Sequence, residues 1–309
     1  MAQSRKNPFT TRIPVHVNLA FLLPDASRHR FIATPHQRAY CAKVQSVNAA
    51  GAARTELQRA NARFLPGLSV KNGLIRHPFD LEFGVRTSGL VAGRHLASGH
   101  QHDRHITAYY AVAPSIFRGI IVRWRRCRAF APIDAYTFID LGAGMSRAML
   151  LASAYPFRAI LGVELHPTLA RIGRRNLALW RAAGRSRVPL HMYCRDAANF
   201  PLPSGPCVAF LFNPFHALVL RRVLRAWGRA LANRPGELDI LYVNDEQKNV
   251  LAREPGFMRL FRGPIRRSQA DLQADRRILR SQPGAEYAAT LWEDCSIYRW
   301  KGRDQGTRD

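Results

Sequence analysis

The feature that most constrains this chain is an alternation of short apolar runs with amphipathic segments from Tyr136 onward. Tyr136–Leu141 reads as a strand ending at Gly142, and Ser146–Tyr155 as a helix stopped by Pro156. Ala159–Val163 reads as a second strand, ending at Glu164. A helix follows over Pro167–Ala183, because proline suits a first helical turn and Gly184 suits the position after the last one. Val188–Tyr193 is a third strand. Val208–Phe212 is a fourth, and its unbroken apolar run fits a strand buried on both faces. Ala217–Ala232 is a helix with Leu220, Val223, Leu224, Trp227 and Leu231 on one face, closed by Arg234-Pro235-Gly236. Leu238–Val243 is a fifth strand, and Ala288–Trp292 and Cys295–Trp300 read as two more. Strands alternating with helices predict an α/β fold on a doubly wound, mostly parallel, seven-stranded sheet.

Upstream the pattern changes. Residues 1–75 show weak periodicity, scattered proline and a basic bias, with one candidate helix between Lys43 and Arg63 interrupted by Gly51. Residues 76–130 read as a helical lid or substrate segment: a turn at Thr87-Ser88-Gly89, then an amphipathic helix entered after Pro114. The expected plan is a basic extension over 1–75, the lid over 76–130, a core over 131–301 and a short tail over 302–309.

The chain has 47 Lys plus Arg against 21 Asp plus Glu, a formal net charge of +26. Such a surface attracts phosphate, which raises a nucleic-acid reading. The bases, however, occur in every quarter of the chain, and 42 of them are arginine, a bias that source-genome composition also produces. The 47% of hydrophobic residues argues against wholesale disorder. No apolar run reaches the ~18–20 residues that span a bilayer, so the reading is a soluble, cytoplasmic protein without a membrane partner. The five cysteines show no metal-ligand spacing and read as reduced thiols. His95, His100, His102 and His105 read as a polar loop; His100 and His102, two apart, would diverge on a helix, and no metal is assigned there.

The informative stretch is Asp140-Leu141-Gly142-Ala143-Gly144-Met145-Ser146-Arg147, where a strand feeds a glycine-bearing loop and then a helix. In open parallel sheets ligands bind beyond the carboxyl ends of the strands, where this loop sits. The dinucleotide fingerprint would need its third glycine at Arg147, so a nicotinamide oxidoreductase is disfavoured. Asp140, two residues before the first glycine, opposes pyrophosphate but suits a cofactor carrying ammonium or sulfonium charge.

On these residues the sequence resembles the class I, seven-strand, Rossmann-like S-adenosylmethionine-dependent methyltransferases of uncharacterised bacterial type. The resemblance covers about residues 76–301 and is most specific over 136–215. Asp140-Leu141-Gly142-Ala143-Gly144 matches the family's first motif, with Ser146 where a third glycine usually stands. The resemblance implies a cofactor site of Asp140, Gly142, Ala143 and Gly144, with Glu164 and Leu165 at the ribose and Asp196 and Ala197 near the adenine amine. Asn213-Pro214-Phe215 resembles the Asp/Asn-Pro-Pro-aromatic motif of enzymes that methylate amino nitrogens, with one proline missing. It implies catalytic roles for Asn213, Pro214 and Phe215, with Asn213 also bordering the cofactor; a plain Asx turn before the next helix explains Asn213 equally well.

The expected function is therefore methyl transfer from S-adenosylmethionine to an unidentified acceptor, such as an amino nitrogen of protein or nucleic acid. Asp80, Glu82, Thr87, Ser88 and Tyr109 are candidates to border cofactor or substrate, and Asp80, Asp245 and Asn213 to orient it. The competing reading is a nucleic-acid-binding protein with a methyltransferase-like fold, its basic face formed by Arg221, Arg222, Arg225 and Arg229. Without an aromatic stripe beside them in the sequence, a solvated arginine face is the simpler account.

Overall fold

The computed structural model describes residues 75–127, 130–282 and 287–302. The extension expected over 1–75 and the tail over 302–309 lie outside the described residues, apart from Ile75 and Gly302.

Helix α1 (Pro78–Phe83) starts at His77, whose Nδ1 accepts the Phe79 amide, and ends at Gly84, left-handed at φ 67°. Helix α2 (Pro114–Arg126) is entered through a proline, as expected, and buries Ile116, Phe117, Ile120, Ile121 and Trp124. The alternating core follows: β1 (Thr137–Leu141), α3 (Arg147–Ala152), β2 (Ala159–Glu164), α4 (Pro167–Ala182), β3 (Leu190–Cys194), β4 (Cys207–Phe212), α5 (Ala217–Ala230), β5 (Leu238–Val243), α6 (Lys248–Ala252), β6 (Phe257–Arg266), α7 (Gln269–Arg280) and β7 (Trp292–Trp300). The strands form one seven-stranded sheet in the order β3-β2-β1-β4-β5-β7-β6. β1 to β5 pair in parallel, and β7 runs antiparallel to both β5 and β6. This is the Rossmann-like methyltransferase fold that the resemblance implied.

Alternation along the strands sends side chains to two cores. Phe138, Ile160, Val208 and Phe210 pack with α2 and α3 on one face, while Ile139, Leu141, Leu161, Ala209 and Leu211 pack with α5 on the other. Each fully buried aromatic or branched side chain stabilises the fold by about 1.5–3 kcal/mol. The strand order reverses between β1 and β4, which opens a crevice beyond their carboxyl ends.

Two expectations are corrected. Only one strand forms near the end, from Trp292 to Trp300, and Ala288–Leu291 precedes it without strand structure. The remaining strand is β6, an edge strand with half of its residues exposed, a register shift between Arg259 and Phe261, and Pro264 in its run. Proline and arginine at an edge blunt further strand pairing, and they also hide the strand from an apolar-run reading. The helical lid over 76–130 also resolves differently. α2 is a core helix that packs on α3, β5, β6 and β7. What covers the crevice is the largely irregular stretch between α1 and α2, with single 3-10 turns at Gly93–His95 and Asp103–His105. Among the described residues no helix is long and apolar enough to cross a membrane.

Candidate functional site

The loop after β1 is shaped by close approaches. Gly142 and Gly144 are left-handed at φ 75° and 52°. A Cβ on Gly142 would lie 2.4 Å from Pro214 Cβ, and one on Gly144 would lie 2.2 Å from the Tyr109 ring. Only glycine combines that backbone with that clearance. The amides of Gly142 and Ala143 donate to the Val163 carbonyl at 2.9 and 3.0 Å, tying the loop to β2. Ser146 takes φ 74°, so it adopts the glycine-like conformation that the motif requires.

A cavity lies over this loop at the carboxyl end of the sheet. Of the residues expected to hold a cofactor, Asp140, Gly142, Ala143, Glu164, Leu165, Asp196 and Ala197 line it; Gly144 and Asn213 do not. The Gly144 amide instead donates to Glu164 Oε2 at 2.7 Å, while the His166 amide donates to Oε1 at 2.8 Å. Burial raises the Glu164 pKa, and these backbone bonds pull it back down. A carboxylate has about four acceptor positions, so capacity remains on Glu164 for hydroxyl donors.

Asp140 differs. It is 4% exposed and lines the cavity, and its carboxylate accepts no hydrogen bond from the described residues. Burial, and then the nearby Glu164 charge, push its pKa up to about 8. A buried carboxyl held in this way prefers to be neutral unless a cation reaches it.

Asp196 caps the turn that follows β3, with Oδ1 accepting the Ala198 amide at 2.9 Å. As expected, His100 and His102 lie in a loop; their ring centroids are 5.2 Å apart, and they fold onto this carboxylate. His102 Nδ1 faces Asp196 Oδ2 at 3.0 Å, and His100 Nε2 lies 3.9 Å from the same oxygen. His100, His102 and Asp196 each offer a ligand atom within 4.8 Å of the others, a spacing that could hold a metal ion. Their other contacts oppose that use. The His102 amide donates to His100 Nδ1 at 3.1 Å, and Arg222 Nη1 lies 2.5 Å from His102 Nε2. A guanidinium only donates, so His102 Nε2 accepts from Arg222, while Nδ1 approaches Asp196 without forming a hydrogen bond. The histidine thus connects a surface arginine to the acidic residue of the site.

The turn after β4 is held from two sides. Asn213 is left-handed at φ 41°, its Oδ1 accepts from the Tyr242 hydroxyl at 3.3 Å, and its carbonyl accepts from Thr107 Oγ1. The Asn213 side chain is therefore turned to β5, and only Pro214 and Phe215 of the expected catalytic triplet line the cavity. Tyr109 is the one lid candidate that lines it. Asp80, Thr87 and Ser88 bond one another and Arg147 instead, and Glu82 is exposed. Asp245 pairs with Lys248 at 3.3 Å and does not border the cavity.

Sequence reasoning missed two groups. Arg147 is 2% exposed and lines the cavity, with Nε donating to Thr87 Oγ1 at 2.6 Å. Tyr110 also lines the cavity, and its hydroxyl donates to Asp275 Oδ1 at 2.7 Å. Burial raises the Asp275 pKa to about 6, against the Tyr110 hydrogen bond and the Arg267 charge. These pairs join residues far apart in sequence, so no local pattern announces them.

No family model and no curated protein matches the chain. Solved structures do resemble it. The [4+2]-cyclase SpnF is 16% identical at a TM-score of 0.44, covering 61% of this chain and 82% of its own. Magnesium protoporphyrin IX methyltransferase from Synechocystis PCC 6803, solved with bound S-adenosylmethionine, is 10% identical at 0.38, covering 60% and 79%. YcgJ from Bacillus subtilis is 13% identical at 0.37, covering 60% and 99%.

Proposed function

We propose that this chain binds S-adenosylmethionine and transfers its methyl group to an acceptor held beside Pro214 and Phe215. One observation carries the reading: a buried aspartate, Asp140, faces a cavity beside a glycine loop and has no hydrogen-bond donor of its own. Buried polar groups are nearly always satisfied, so an open carboxylate in a cavity points to a cationic ligand. A pyrophosphate there would meet the Glu164 carboxylate and would oppose ionisation of Asp140 further.

The residues fit the cofactor. Asp140 would take its ammonium, Glu164 its ribose hydroxyls, and Asp196 with Ala197 its adenine. S-adenosylmethionine, when bound, supplies a methyl group already activated on a sulfonium. What the chain must add is alignment and exclusion of water. Tyr109, 9% exposed, lies over Gly144 and donates its hydroxyl to the Thr87 carbonyl at 2.7 Å, which fixes the cover. Pro214 packs against Gly142, so the acceptor wall and the cofactor loop are set in register. With Asn213 turned to Tyr242, a flat acceptor would be held by the Phe215 face and by Tyr110 opposite Asp275.

Calorimetry with the full chain tests this against S-adenosylmethionine, S-adenosylhomocysteine and NAD. Binding of the first two and not the third is expected. Binding of NAD alone would replace the reading with an oxidoreductase, and binding of none would leave a methyltransferase-like fold without its cofactor.

A further inference from the structure

The arginines of α5 do not simply coat a solvated helix. Arg222, Arg225 and Arg229 line one concave surface together with Gln101, His102 and Asn199. The helix carries four arginines and no acidic residue. The Arg225 and Arg229 side chains make no hydrogen bond or ion pair with the described residues, so their charge is uncompensated. The opposite face is anchored by Val219, Leu220, Val223, Leu224 and Trp227, all buried. The groove also communicates with the cavity: His102 lines both, and Arg222 bonds to it.

We infer that this groove binds the phosphodiester backbone of a single-stranded nucleic acid and leads one of its nucleotides to the cavity. The inference rests on the methyltransferase reading for what happens in the cavity, but the groove's ligand is argued separately. From Arg222 to Arg229 the helix rises about 10 Å at 1.5 Å per residue. The three guanidiniums therefore form a row along which a phosphate backbone can run. The surface is concave and adjoins the cavity, so a flexible single strand can follow it and deliver an unstacked base. Gln101 and Asn199 add neutral amides that suit sugar and base edges. The aromatic groups that the sequence did not place beside the arginines are supplied by folding. Phe212, Phe215 and Tyr110 line the adjoining cavity, where a splayed base can stack.

The test is fluorescence anisotropy of the full chain with labelled mixed-sequence 12-mers, one RNA and one DNA, across a salt series. Arg225→Gln/Arg229→Gln removes two groove charges and leaves Arg222 and its histidine intact. Arg276→Gln/Arg280→Gln removes two exposed charges from α7 as a control for net charge. The groove variant should bind at least tenfold more weakly, with the slope of log K against log salt reduced by about 1.4, from ~0.7 per phosphate on a single strand. The α7 variant should change affinity less than threefold. Tighter RNA than DNA would assign a role to the 2′-hydroxyl, and equal binding would assign the backbone alone; both support the groove. Equal loss in the two variants, or no binding of either oligonucleotide, overturns it. Calorimetry of the groove variant with S-adenosylmethionine separates the two claims: unchanged cofactor binding with lost oligonucleotide binding isolates the groove. Oligonucleotide binding by a chain that takes no cofactor would sink the methyltransferase reading alone.

Discussion

Asp140 and Asp80 are both buried aspartates beside the glycine loop, at 4% and 0% exposure, and they have opposite environments. Asp80 accepts the amides of Thr87 and Ser88, each at 2.7 Å, and both of their hydroxyls, and it lies 3.6 Å from Arg147. The Asp140 carboxylate accepts nothing from the described residues and faces a cavity. Burial alone therefore does not mark a ligand site in this molecule; a buried carboxylate left without a donor and facing the cavity does. The two residues should separate cleanly when each is removed.

The largest effect belongs to Asp80. Replacing it with alanine leaves Arg147 buried without its carboxylate and strands the donors of Thr87 and Ser88. Breaking a buried pair in this way costs about 3–5 kcal/mol. For a folded region of this size that is a fall in Tm of roughly 6–20 °C. Thermal unfolding followed by circular dichroism measures it, and an unchanged Tm would show that the polar cluster is not structural.

Asp140→Asn should do the reverse. It replaces a buried carboxyl, whose ionisation burial opposes, with a neutral amide, so the ligand-free protein keeps or gains stability where the carboxyl would have to ionise. Cofactor binding should weaken by roughly 10- to 100-fold, because a hydrogen bond to a charged group contributes about 1.5–3 kcal/mol. The pH dependence sharpens the contrast. The folded-state pKa of Asp140 is about 8, against the ordinary 3.8. The folded state therefore holds a proton that the unfolded state releases, and ligand-free wild type should lose stability, relative to Asp140→Asn, as pH rises from about 4 to 8. A cationic ligand needs the ionised form, so wild-type affinity should tighten as pH rises towards 8 and level off above it. The asparagine variant should lack the Asp140 step. Calorimetry from pH 6 to 9 reads both, and matching profiles would remove Asp140 from the site.

What the sequence made legible follows the same division between local and distant causes. The strands β1, β2, β4 and β5 announce themselves because both faces are buried and nearly every residue is apolar. Asp140, Glu164 and Asp196 are visible because each closes a strand or follows one. β6 is hidden because one edge and half its side chains meet solvent. The orientation of Asn213 is hidden because Thr107 and Tyr242, which fix it, are distant in the chain. The contact of His102 with Asp196 and Arg222 is a tertiary one for the same reason. The hydroxyls of Thr87 and Ser88 were visible, but their partner was not, so a structural cluster resembled a substrate border.

The smallest effects lie within the loop itself, where Gly144 and Ser146 share a left-handed backbone but not a neighbourhood. Gly144→Ala adds about 1–2 kcal/mol of backbone strain and drives a methyl into the Tyr109 ring, 2.2 Å away. It should lower stability and loosen the cover, weakening cofactor binding severalfold. Ser146→Gly relieves the same backbone strain. It also deletes the hydroxyl that donates to the Met145 carbonyl at 2.6 Å and enlarges the unfolded ensemble, terms of about 0.5–1.5 kcal/mol. These oppose each other, so stability should move by less than about 1 kcal/mol. Cofactor affinity should stay within about twofold, since the loop already has the shape that a third glycine would give it. A large loss of binding in Ser146→Gly would instead give the serine hydroxyl, and not its backbone, the role in the loop.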